Sequence, residues 1–157
     1  MFKISTKLSV TLSLVLAYLC FLLLVGLAIW LPEHMENFIK LPDLIGDREN
    51  ITQLGKVIVY VLAYCIIAIA LAADVMLVLL LKKVKRGLVF TEASVALIRA
   101  ISWCALILGI VFAALTYFFT ISALVALGGI FLGLCLRVVK NVIEEATEIK
   151  AENDFTV

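Results

Sequence analysis

The chain has 157 residues, enough for one domain, of which 65% are hydrophobic, with a mean hydropathy of +1.21. Soluble domains are closer to half apolar, so this composition excludes a water-soluble fold of that size. The formal net charge of +1 conceals an uneven distribution: the basic residues gather at the edges of apolar segments and form no soluble basic face, which excludes direct nucleic-acid binding.

Lys3 and Lys7 precede an uncharged run from about Leu8 to Leu31. At ~1.5 Å per residue such a run crosses a ~30 Å hydrocarbon core. A cleaved signal peptide would end its shorter apolar core at a small-residue site. Ala28-Ile29-Trp30-Leu31-Pro32 offers none, so an uncleaved first span is expected, with Trp30 at the interface and Pro32 breaking the helix.

Residues 32–56 form the sizeable polar segment, mildly acidic through Glu33, Glu36, Asp43, Asp47 and Glu49. Its apolar Met35, Phe38, Ile39, Leu41, Leu44 and Ile45 suit a short interfacial helix or a cap over the bundle; a ligand or peptide contact is the alternative. His34, the one histidine, lies here and is expected to be a polar residue of an exposed loop.

A second span is predicted at about 57–81, a third at 95–118 and a fourth at 121–139. The second and third are joined by an elbow at 82–94 that opens with Lys82, Lys83, Lys85 and Arg86 and turns at Gly87. The last two spans are joined through Phe119 and Thr120, a link so short that they must be antiparallel neighbours. Ala105, Gly109 and Ala113 on the third span, with the GxxxG of Gly129 and Gly133 on the fourth, form a strip of small residues of the kind that lets helices approach in lipid. The strip serves either the internal bundle or a homo-oligomer, the bundle being preferred. The four cysteines, Cys20, Cys65, Cys104 and Cys135, fall one to each span with no CxxC, and read as small buried hydrophobes.

Basic residues at both ends of the chain and at the elbow fall on one side of a four-span arrangement, and the acid-rich loop falls on the other. The positive-inside rule then puts both termini in the cytoplasm. Beyond Val139, apolar residues at helical intervals among Glu144, Glu145, Glu148 and Glu152 predict that the fourth helix continues as an amphipathic cytoplasmic segment. Its end, Asp154, Phe155, Thr156 and Val157, reads as a disordered tail or as a docking motif for a partner. The expected architecture is all-α: a polytopic four-transmembrane-helix bundle forming a single membrane domain over 1–157.

Two charges stand inside the spans. Asp74 lies ~12 Å inside the basic end of the second helix, and Arg99 lies at similar depth on the third, after Thr91 as N-cap and Glu92 at the positive helix end. An intramembrane carboxylate is costly without a partner, so an Asp74–Arg99 ion pair or hydrogen bond is expected, structural in the first instance, with a proton or ion relay, or an anion site using Arg99 with the basic elbow, as the alternatives. No paired carboxylates, metal-ligand spacing or nucleophile and base set can be assembled, so neither an enzyme nor a cofactor is expected.

The elbow Lys85-Arg86-Gly87-Leu88-Val89-Phe90-Thr91, followed by Leu97-Ile98-Arg99, and the ending Glu152-Asn153-Asp154-Phe155-Thr156-Val157 resemble a bacterial family of small four-span integral membrane proteins of unknown function. Phe155 stands where Leu is commoner in that family. The resemblance implies a multi-pass protein of the bacterial inner (plasma) membrane, often encoded beside a small helix-turn-helix regulator. The function expected is a non-enzymatic sensor, adaptor or immunity-like protein in contact with membrane lipids and a cytosolic partner such as that regulator. A small oligomeric transporter or channel component is the alternative.

Overall fold

A computed structural model describes residues 6–39 and 52–155, with side chains over 8–35 and 52–153. Four helices follow one another: α1 (Thr6–Ile39), α2 (Gln53–Lys85), α3 (Glu92–Leu115) and α4 (Ser122–Phe155), with no strand among the described residues. All four are long and apolar enough to cross a membrane. The molecule is an all-α four-helix bundle and a multi-pass membrane protein.

Burial follows from the medium. α1 is apolar on every side, with Leu12, Val15, Leu16, Leu19, Leu22 and Leu23 all directed outwards, as a helix bathed in lipid requires. Among the described residues, close backbone approaches join sequence neighbours alone: α1 to α2, α2 to α3 and, most extensively, α3 to α4. A core cluster of Met35, Val59, Leu115 and Phe119 lies at the end away from the elbow.

Several expectations are corrected. Pro32 does not end the first helix; α1 runs through it to Ile39. Proline supplies no N–H to the carbonyl four residues back, that of Ala28. Tyr64 of α2 donates its hydroxyl to that carbonyl at 3.5 Å, which meets the bilayer's demand that backbone groups find partners. His34 is accordingly a half-buried residue of α1, its ring centroid 4.2 Å from that of Trp30, and not part of a loop. Of the apolar loop residues, Met35 is buried in the core, while Leu41, Leu44 and Ile45 lie outside the described residues. Cys20, Cys65 and Cys135 face outwards and Cys104 is half-buried, so none is the buried hydrophobe expected; all four are free thiols.

α3 begins three residues before the predicted span, capped by Thr91, and closes at Leu115. The fourth helix continues unbroken for 34 residues, ~50 Å, so it overshoots a ~30 Å core by several turns. The expected continuation is thus present, and the backbone is helical as far as Phe155 where the tail reading had it disordered.

Candidate functional site at the basic end

The elbow is locked by local chemistry. α2 ends in a Schellman arrangement: Gly87 N–H donates to Val84 O and Leu88 N–H to Lys83 O, both at 3.0 Å, with Gly87 in the left-handed region at φ 76°. Thr91 then caps α3 by accepting from Ser94 N–H, and the buried Ser94 hydroxyl donates back to Leu88 O at 2.8 Å. The corner being closed from inside, Lys82, Lys85 and Arg86 are left exposed and Lys83 half-buried. Lys82 also lies 5.8 Å from the Tyr18 ring of α1.

Asp74 and Arg99 are not partners. Arg99 reaches across to α4, where its guanidinium donates to Glu144 at 2.7 Å; Lys140 donates to the other carboxylate oxygen at 2.5 Å. The reason is helical phase. Arg99 sits nearly two turns before Leu106 and shares its face, and Leu106 is the side chain against which Gly133 of α4 packs. Matched depth did not help, because Arg99 is turned to the wrong neighbour. Asp74 is 8% exposed, and its Oδ2 has no hydrogen-bond partner.

Glu144 thus lies between two cations. The hydrogen bond from Lys140 first, and then the charges of Lys140 and Arg99, hold its carboxyl below the ordinary glutamate value. Arg137 adds a second link between α3 and α4, its guanidinium 4.3 Å from the Trp103 ring.

The small-residue strip packs α3 on α4. A Cβ on Gly129 would stand 3.2 Å from Gly109 Cα and 3.4 Å from Ala105 O, and one on Gly133 would meet Leu106 Cγ at 2.7 Å. The strip therefore serves the bundle, although Ala113 at its far end is exposed. Within the seam the Ser102 hydroxyl, 1% exposed, donates to Gly133 O at 2.9 Å. Sequence reasoning passed over Ser94 and Ser102, and gave Lys140 and Glu144 no part in a pairing. For the last two a signal existed: a Lys and a Glu four apart on one helix face.

Past Lys140, α4 is clamped on one face and free on the other, where Val142 and Ile149 are 61% and 54% exposed. The candidate docking residues Asp154 and Phe155 have a helical backbone but side chains outside the described residues, and Thr156 and Val157 lie outside them altogether. Among the described residues no group of three or more His, Cys, Asp or Glu is placed to hold a metal. What the site offers is a basic corner and a projecting helix with an apolar stripe, the equipment of a binding surface.

Neither curated proteins nor solved structures provide a match. A family model does match, over residues 4–157, and its description is "Protein of unknown function (DUF2975)". With nearly the whole length covered, and with four apolar helices folded as described, the chain belongs to the DUF2975 family.

Proposed function

We propose that this protein is a non-enzymatic sensor or adaptor of the bacterial inner membrane that holds a soluble partner at its basic, cytoplasmic end. The observation that carries the reading is the continuation of α4 beyond the span. One face is clamped by Arg99, Glu144 and Lys140, while Val142 and Ile149, seven residues apart, stand outwards. Apolar side chains at that spacing are the anchors by which an amphipathic helix occupies a groove in another protein. The basic residues of the elbow support the orientation, and the family resemblance supports a helix-turn-helix regulator as partner.

A photo-crosslinking residue at position 142 or 149, in cells that also produce a small helix-turn-helix regulator of the kind the resemblance implies, tests the reading. Cross-links to the regulator are expected from both positions and not from lipid-facing position 16. They should disappear in the Val142→Asp, Ile149→Asp chain while membrane insertion is retained. A regulator that cross-links from neither position overturns the proposal.

Asp74 favours a second reading, a small oligomeric transporter or channel component. A buried carboxyl without a partner inside a span is the usual mark of an ion path. Ion flux in reconstituted vesicles that is lost in Asp74→Asn supports it; absent flux, or flux indifferent to that change, removes it.

A further inference from the structure

At the end opposite the elbow the four helices surround a cavity of about 360 Å³. Its walls come from Trp30 and His34 of α1, Ala63 of α2, Phe112 of α3, and Ser122 and Val125 of α4. That volume falls within the ~300–1,000 Å³ of small-molecule sites and far exceeds the voids of a packed interior. The lining is almost wholly apolar, so water gains little by filling it.

Two further observations define an occupant. The first is access: among the described residues α1 and α4 do not approach one another, and the exposed Trp30 and Val125 stand on the two sides of the gap. The cavity therefore communicates sideways with the hydrocarbon of the bilayer. The second is polarity: the half-buried His34 ring lines the cavity, and its Nδ1, turned away from the open space, has no hydrogen-bond partner. Rotation of the ring about its Cβ–Cγ bond is what would present that nitrogen to an occupant. A hydroxyl can donate to that nitrogen or accept from it, and so satisfies either imidazole tautomer. Trp30 and the exposed Glu33 mark this level of α1 as the boundary between chains and headgroups, where a lipid hydroxyl resides.

We propose that this cavity binds a single-chain lipid carrying a hydroxyl, which enters between α1 and α4, lays its alkyl chain along the apolar walls and hydrogen-bonds His34 Nδ1. The site goes beyond the adaptor reading and stands without it.

The chain has two tryptophans, so Trp103→Phe leaves Trp30 as the sole fluorophore. In phosphatidylcholine nanodiscs, a monoacylglycerol with a dibrominated 18-carbon chain is expected to quench Trp30 saturably. Trp103, retained alone in a Trp30→Phe chain, should be quenched only in proportion to bulk concentration. His34→Phe keeps the ring volume and should weaken the saturable phase about fivefold, the worth of one hydrogen bond. The corresponding methyl ester, without a hydroxyl, should bind His34→Phe and its parent alike. Ala63→Phe should fill the cavity and abolish saturation; should that chain fail to fold by circular dichroism, His34→Phe decides. Quenching of Trp30 that never saturates, or saturation untouched by His34→Phe, overturns the proposal.

Discussion

Gly87 and Asp74 show how differently single residues act in this chain. Gly87 has open space around the position of a Cβ, so its importance lies in its positive φ alone. Gly87→Ala should therefore lower stability by about 1 kcal/mol, and Gly87→Asn by less, because Asn tolerates the left-handed region. Thermal unfolding of the purified protein in detergent measures both. Asp74 is the opposite case, a buried polar group with an unmatched oxygen. Asp74→Leu should raise stability, by about 1–3 kcal/mol, because it removes an unsatisfied group from an apolar setting. A fall in the unfolding midpoint would show that the carboxyl has a partner in the membrane-embedded protein.

At the level of the helices, the α3–α4 seam is the tightest contact, and glycines that look alike in sequence differ in it. A Cβ on Gly109 would meet Ile130 Cγ1 at 2.7 Å and Ile130 N at 3.0 Å, whereas one on Gly128 would meet nothing within 4 Å. Gly109→Ala should cost about 1–3 kcal/mol while Gly128→Ala is neutral or stabilising, as compared by unfolding midpoints. The clamp on α4 should depend on pH. Glu144 has its folded pKa below the unfolded value of 4.5, so its contribution is complete above that value and is lost as pH falls through the folded one. A spin label at position 150 should gain mobility as pH drops below the ordinary glutamate range, and in Glu144→Gln it should be mobile throughout. The spans and the strip were legible in the sequence because hydropathy and small-residue spacing are properties of a line. The partner of Arg99 was not, since it depends on which way α3 is rotated and on α4 persisting beyond the bilayer. His34 was misplaced for a related reason. Proline ordinarily ends a helix, and the Tyr64 hydroxyl that offsets its missing bond comes from another element.

As a whole, the molecule is a series of pairings, α1 on α2, α2 on α3, α3 on α4. Among the described residues the backbone of α1 closely approaches α2 alone, and less extensively than α4 approaches α3, so α1 should exchange its amide hydrogens faster than α4 over 122–139, as mass spectrometry of the detergent-solubilised protein can determine. Equal protection would mean that α1 is held by contacts beyond this series. The unbroken length of α4 has a mechanical corollary. Ser122, on the cavity wall, stands ~10 Å from the tight crossing at Gly129, and Phe155 stands ~39 Å beyond it on the other side. The two arms are unequal by nearly fourfold, so a tilt of α4 about that crossing would displace the tip most, and only once the Arg99–Glu144 tie to α3 has let go.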